Sequence, residues 1–495
     1  MHFLRDQMNA FRKIYCWRQR RRIAGLILFL LVSSLEFAHA IASPGQASVD
    51  PQPDQRFKTD LLVVIGHPDD ETFIAGYLAR LVFDQHKRVS VIICTASEAG
   101  GNVYGPESGA SLGYVQMIEG KRAFASLGIE NVWFLTGRDT PGQNVLWSLE
   151  NWDHGRVLGQ MTRLVRLTRP EVMLALVPLP VAGENHGDHQ AAGVIATEAF
   201  DLAGDRSAFP EQLAPAREIR GVGNLTEGLQ PWQPKKIYYF TDAFDNISQY
   251  WDDPKNISPF RPNLLLGAGP QYLNSESSPS KGVSYAQLSA LESSAYLSQG
   301  GIGDNAVAAL SKNDFQAYTH PVRLIFGKSA QGASETTADV FDGLAQSDLA
   351  YVHSPGYQPN SGRDVSFTIG GPWEFYSYFW TAHSLERISR LLPTPELSIG
   401  AGSSLSLPMK IVNPSDAAVN VTIQSHLPAG WGEREPQKSV HVNAGGSARF
   451  QALLTAPDLT SPQWQELRWN AYVDGKSVGE ILVRVLSAKN GGLPQ

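Results

Sequence analysis

Two stretches of this chain read as strands buried on both faces, and each leads to histidine and carboxylate. Leu61-Leu62-Val63-Val64-Ile65 runs through Gly66 into His67-Pro68-Asp69-Asp70-Glu71, and a second run, Val172 to Val177, precedes His186-Gly187-Asp188-His189. Short, continuous apolar runs rich in Val, Ile and Leu belong to strands covered by helices on both sides, as in parallel sheets. The pattern around them agrees. A helical pattern with Phe73, Tyr77, Leu78, Leu81 and Val82 on one face follows the first run. Then come a strand over 89–95, a Gly-rich loop (Gly100, Gly101, Gly105, Gly109), a helix over 117–127, a strand over 131–135 and a helix over 158–168. This alternation predicts an α/β domain with a Rossmann-like, mostly parallel sheet and helices on both faces. In such sheets ligands bind beyond the carboxyl ends of the strands, where both clusters fall.

The rest of the chain divides by composition. Arg18, Arg20, Arg21 and Arg22 precede an apolar run from Ile23 to Leu35, and Ala38-His39-Ala40 supplies a small-x-small cleavage pattern. A run of 13 residues is too short to span a bilayer comfortably, so 1–40 reads as a signal peptide. The expected location is secreted or periplasmic, with no membrane association after cleavage; an uncleaved anchor is the rival reading. Residues 41–56, rich in Pro, Gln, Ser and Asp, read as a linker, and 57–245 as the catalytic α/β domain. Its last strand is expected within Trp232 to Phe240, and 246–391 reads as an elaboration packed on that domain. Composition changes at Leu392-Pro393-Thr394-Pro395. From 396 to 487, short alternating runs separated by Asn413-Pro414, Gly445-Gly446 and Asp474-Gly475 predict an all-β, immunoglobulin-like sandwich.

A net charge of −7 offers no basic footprint, so no nucleic acid partner is expected. The two cysteines are Cys16, in the leader, and Cys94, in an apolar strand, which leaves no disulfide framework.

The chemistry concentrates at the two strand ends. His67 and Asp70 are three apart across a turn that Pro68 stiffens, so both can chelate one cation while Asp69 points elsewhere. Zinc takes nitrogen and oxygen ligands, and a catalytic site keeps a position for water. That water needs a base, and a free carboxylate fits. His186 and His189 share a face at the start of a helix; one can ligate, the other can hold a proton and stabilise charge on a carbonyl oxygen. Asp188 can fix the tautomer of a neighbouring imidazole. Taken singly, the first cluster is also a helix N-cap with acidic residues and the second a solvated loop. Together, at two strand ends of one domain, they favour a metal-dependent hydrolase. His86, His154, His320, His353, His383, His426 and His441 have no such setting and read as structural or surface.

With these motifs the chain resembles the PIG-L/LmbE-like metal-dependent de-N-acetylases, which act on N-acetylglucosaminyl groups. The resemblance runs from about Asp60 to Tyr239. It rests on His67-Pro68-Asp69-Asp70-Glu71 and His186-Gly187-Asp188-His189, with Thr95-Ala96-Ser97-Glu98-Ala99-Gly100, Glu119, Leu127-Gly128, Phe134-Leu135 and Asp139 in order between them. It implies that His67, Asp70 and His189 bind one zinc per chain, with ferrous iron as the alternative. It further implies that Asp69 is the general base, that His186 assists the oxyanion and leaving amine, and that Asp188 supports His186. Glu98, Asp139 and Gln116 are the candidates for substrate contact. Gln116 is a departure, since the family commonly carries an arginine there; Gly183-Glu184-Asn185, before the closing motif, is another. The implied substrate is a small molecule or glycan containing an N-acetylated amino sugar. Rival readings are an amidase or esterase acting on another substrate, and a glycan-binding protein with an idle catalytic domain. The 396–487 segment resembles the NPCBM-associated sandwich modules, and its Trp431, Trp464 and Trp469 are read as core more readily than as sugar-stacking residues.

Overall fold

The computed structural model of the protein describes residues 55–180, 186–213, 229–241, 268–330, 338–344, 364–459 and 461–488. The leader, all of the linker but Gln55 and Arg56, parts of the 246–391 stretch and Gly183-Glu184-Asn185 lie outside the described residues. Five parallel strands carry the first domain: β1 (Leu61–Ile65), β2 (Val89–Ile93), β3 (Asn131–Phe134), β4 (Val172–Leu176) and β5 (Lys236–Phe240). A short antiparallel pair, β6 (Gln271–Leu273) and β7 (Pro321–Arg323), stands apart, and β8 (Ile325–Ser329) joins β5 as an antiparallel edge. The sheet order is β3-β2-β1-β4-β5-β8.

Alternate side chains of these strands enter two different cores, as a two-residue period requires. Leu62, Val64, Met173, Ala175, Ile237 and Tyr239 pack under α3 (Val145–Asn151), α4 (His154–Thr168) and α5 (Gly187–Leu202). Leu61, Val63, Ile65, Leu174 and Tyr238 pack under α1 (Ala75–Ala79) and the end of α2 (Ala110–Ser126). Every residue of β1 and β4 is buried, so truncating one, as in Leu62→Ala, is worth about 2–5 kcal/mol. Helix α2 begins seven residues earlier than the apolar period suggested. Gly109, at φ 56°, turns the Gly-rich loop directly into the helix, and its first turns bury Leu112 together with Gly113 and Gln116, too few large apolar groups to show a period.

Beyond β5, α6 (Tyr285–Ser293) lies against α1 and α2 on the second core's side, and α7 (Gly301–Lys312) packs on α6. Asp84, just after α1, accepts hydrogen bonds from Ser278 Oγ (2.7 Å), Ser280 N (2.9 Å) and Tyr285 Oη (2.8 Å), anchoring this segment.

The second domain is a sandwich. One sheet has the order β10 (Glu396–Gly400), β17 (Lys476–Ala488), β16 (Gln463–Val473), β12 (Val419–His426), β14 (Gln437–Val442). The other comprises β13 (Gly432–Glu433), β15 (Ser447–Thr455), β11 (Ser404–Val412) and β9 (Ser366–Ile369). β9 precedes the composition change at Leu392. It pairs with β11, after which α8 (Gly371–Ala382) and α9 (Glu386–Ser389) pack Tyr376, Phe379, Trp380 and Ile388 into the α/β core. Trp469 is in the sandwich core and Trp431 packs half-buried against it. Among the described residues, no helix is long and apolar enough to cross a membrane.

Candidate metal centre

Strand order reverses between β1 and β4: one continues to β2 and β3, the other to β5, on opposite sides. A doubly wound sheet opens a crevice at such a point, outside the strand ends. His67 follows β1 there, and His186 and His189 arrive from beyond β4. Gly66 is where the two loops meet. A Cβ on it would stand 3.2 Å from the Asp188 carbonyl carbon and oxygen and from Asp70 Oδ2, so a side chain at this position would push the loops apart.

Each loop is fixed by its own backbone contacts. Asp70 Oδ2 accepts from Gly66 N (2.8 Å) and His67 N (2.9 Å), tying the carboxylate to the end of β1. Asp69 before it sits at φ 112°, ψ −20°, a conformation costing about 1–3 kcal/mol for a residue with a Cβ. On the other loop His186 caps α5, its Nδ1 accepting from Asp188 N at 3.3 Å. With Nδ1 used as acceptor, the neutral ring carries its proton on Nε2.

The imidazoles converge. Ring centroids of His67 and His186, and of His67 and His189, are 5.1 Å apart, and those of His186 and His189 5.6 Å. His189 Nε2 is 2.9 Å from Asp70 Oδ1, and His67 Nδ1 is 3.7 Å from the same oxygen. His67 Nε2 faces Asp139 Oδ1 at 3.2 Å and Asp188 Oδ2 at 3.4 Å. Asp188 Oδ2 also accepts from Thr140 N at 2.8 Å.

Charge is unevenly shared in this buried cluster. Burial alone would make His67 less basic, but Asp139, Asp188 and Asp70 raise it well above the usual histidine value. Burial likewise opposes ionisation of Asp70, yet His189 and His67 hold it far below the usual carboxylate range. Asp69 moves the other way: burial, then the charge of Asp70, raises it well above that range, with His67 opposing. His186 falls to about 3, through burial and the neighbouring His67 and His189, so it is neutral at pH 7.

This donor set fits a metal ion. Three carboxylates gather round His67 in a site where burial makes unbalanced charge costly, and they favour a cation among them. His67, His186 and His189 each offer a nitrogen within 4.8 Å of the others, and His67, Asp139 and Asp188 form a second such group. His189 Nδ1 is buried without a hydrogen-bond partner among the described residues. Imidazole nitrogen and carboxylate oxygen suit zinc and ferrous iron alike.

The residues expected to contact substrate are placed in three ways. Asp139 N donates to Glu98 Oε1 (3.1 Å) and Ala99 N donates to Asp139 Oδ2 (3.0 Å), so the loops after β2 and β3 lock together beside His67. Glu98 Oε2 is buried without a hydrogen-bond partner among the described residues. Gln116 is buried on α2, and its Oε1 likewise has no partner among the described residues. Sequence reasoning missed the supports of Glu71, which lie in the connection between α6 and α7. Tyr296 Oη donates to Glu71 Oε1, and Gln299 Nε2 donates to the Pro68 carbonyl at 2.9 Å. No motif marks either residue.

Residues 62–200 match the PIG-L family model, described as GlcNAc-PI de-N-acetylase. That segment is similar to a PIG-L domain. Similar curated proteins are named 1D-myo-inositol 2-acetamido-2-deoxy-alpha-D-glucopyranoside deacetylase. That of Streptomyces scabiei is 26% identical over 235 residues, covering 42% of this chain and 66% of its own length. One from Catenulispora acidiphila is 29% identical over 167 residues, covering 30% of this chain and 51% of its own. The chain thus spans about half to two thirds of these relatives. Among solved structures, N,N'-diacetylchitobiose deacetylase from Pyrococcus horikoshii is 21% identical, covering 39% of this chain and 68% of that one, with a TM-score of 0.30.

Proposed function

We propose that this protein is a zinc-dependent hydrolase that removes acetyl from an N-acetylated amino sugar, in a glycan or a smaller glycoconjugate. The convergence of His67, Asp70 and His189 in the crevice between β1 and β4 carries this reading. The PIG-L match and the deacetylase names of the relatives support it. His67, Asp70 and His189 would hold the cation. Asp139 and Asp188 occupy the Nε2 side of His67, which leaves Nδ1 on the side of Asp70. When bound, the ion supplies Lewis acidity, polarising the amide carbonyl and making water a better nucleophile.

The chain's own groups handle the protons. Asp69 takes a proton from the attacking water as the new C–O bond forms and the carbonyl electron pair moves onto oxygen. Its raised proton affinity suits a group that must hold this proton and then release it. His186, neutral and with its proton on Nε2, donates a hydrogen bond to that oxygen. When the carbonyl re-forms, the C–N bond breaks and the proton on Asp69 passes to the departing nitrogen. One amide and one water give acetate and a free amino sugar. Arg18 to Arg22, the apolar run to Leu35 and Ala38-His39-Ala40 support a site of action outside the cytoplasm.

The test is amine release. Zinc-loaded protein incubated with N-acetylglucosamine-containing oligosaccharides should liberate primary amine and acetate in equal amounts. Asp69→Asn should lower the rate by about 10²–10⁴-fold while keeping its zinc. Loaded wild-type protein that frees amine from no N-acetylated sugar would overturn the reading.

A further inference from the structure

The left-handed turn at Asp69 is held from outside the segment that carries the motifs. The Asp69 N–H donates to Glu71 Oε2 at 3.2 Å, and Glu71 Oε1 accepts from Tyr296 Oη. Gln299 Nε2 donates to the Pro68 carbonyl at 2.9 Å, and its side chain is near enough to the Asp69 carboxylate to favour its ionised form. Glu292 is the further partner of Glu71. Glu71, Glu292 and Tyr296 are fully buried.

The connection bearing these groups is itself pinned to α2. Ser298 N and Oγ donate to Glu119 Oε1 and Oε2 at 2.8 and 2.6 Å. A Cβ on Gly120 would stand 3.3 Å from Pro68 Cβ and 3.7 Å from Tyr296 Oη, so this glycine lets Pro68, Tyr296 and α2 draw together. A strained backbone persists only where its surroundings over-determine it. Here those surroundings are residues 292–299, beyond the matched segment 62–200.

We propose that Gln299 and Tyr296 are positioning residues for Asp69, locking the turn after Pro68 so that its carboxylate faces the reacting water. The inference rests on Asp69 being the general base. Gln299→Met keeps the bulk and removes the hydrogen bond to Pro68; Tyr296→Phe removes only the hydroxyl. In the zinc-loaded full chain each variant should lose about 10- to 100-fold in kcat, with KM and bound zinc within about twofold of wild type. A crystal structure of the Gln299→Met protein should show Asp69 leaving the positive-φ region. Unchanged kcat would overturn the proposal, as would a rise in KM and a loss of zinc accompanying the fall in kcat, which a general loosening produces. Should the wild type release no amine at all, the deacetylase reading fails, and the backbone at Asp69 in that variant structure then decides alone. Asp69 still near φ 112° would overturn the positioning role, and a relaxed turn would support it.

Discussion

At His67 two carboxylates share one ring nitrogen: Asp139 Oδ1 lies 3.2 Å and Asp188 Oδ2 3.4 Å from Nε2. A carboxylate on the far nitrogen of a ligating histidine fixes its tautomer and raises its basicity. Asp139→Asn is therefore expected to weaken zinc binding by about 10–100-fold, with KM at saturating zinc unchanged. Competition against a chelating dye, combined with steady-state kinetics, checks this. Were Asp139 mainly a sugar-hydroxyl contact, KM would rise and zinc affinity would hold. His67, Asp70, His186, Asp188 and His189 were legible because they follow strong strand patterns at a spacing with chemical meaning. The contact between Asp139 and His67 was not. It joins two loops 72 residues apart, and only the register of β3 beside β2 brings them together. Gln299 was further still from view, since the connection that bears it has no motif and takes its meaning from Pro68 and Asp69.

Among the elements, α5 bears the greatest demand, delivering His186 and His189 from one end while its other end is buried. Arg166 on α4 meets that second end. Fully buried, it donates to the carbonyls of Ala203 (3.1 Å), Asp205 (2.8 Å), Ala208 (2.8 Å) and Phe209 (3.3 Å), and to Gln212 Oε1 (2.9 Å). A cation at a helix C-terminus is favoured by the dipole and satisfies carbonyls the helix leaves open. Arg166→Met keeps the packing bulk but strands these acceptors. The expected cost is about 3–5 kcal/mol, seen as a lower urea midpoint with an unchanged slope. The strands around α5 were legible almost to the residue, because burial on both faces writes an unbroken apolar run. Helix α3 (Val145–Asn151) was not. It is too short for a period to emerge, and its start is set by Asn144, whose side chain accepts from Leu146 N at 3.1 Å. β14 was missed for a related reason. Its Gln437–Val442 buries only its last residue, so no alternation of apolar side chains announces it.

For the molecule as a whole, the segment from β9 to α8 belongs to both domains, pairing in a sandwich sheet and then burying aromatics in the α/β core. A composition change marks where residue types shift. It does not mark where hydrogen bonds divide, which is why Ser366–Ile369 could be read as neither domain's strand. The first turn of α8 carries Glu374, which meets Lys410 Nζ of β11 at 2.5 Å and Arg449 Nη2 of β15 at 3.0 Å. Burial alone would raise the Glu374 carboxyl, but Lys410 and then Arg449 hold it below its usual value, and Lys410 is raised in turn. A carboxyl depressed in the folded state stabilises fully above its unfolded pKa, near 4.3. That contribution declines as pH falls and is gone below the folded value. Glu374→Gln should therefore cost about 1 kcal/mol or less at pH 7, given how much solvent reaches Arg449. The gap between wild type and variant should shrink below about pH 4.3 and close at lower pH. Thermal midpoints of both proteins measured between neutral and acid pH decide the matter. A gap that stays constant on acidification would mean that Glu374 joins the domains through packing and not through its charge.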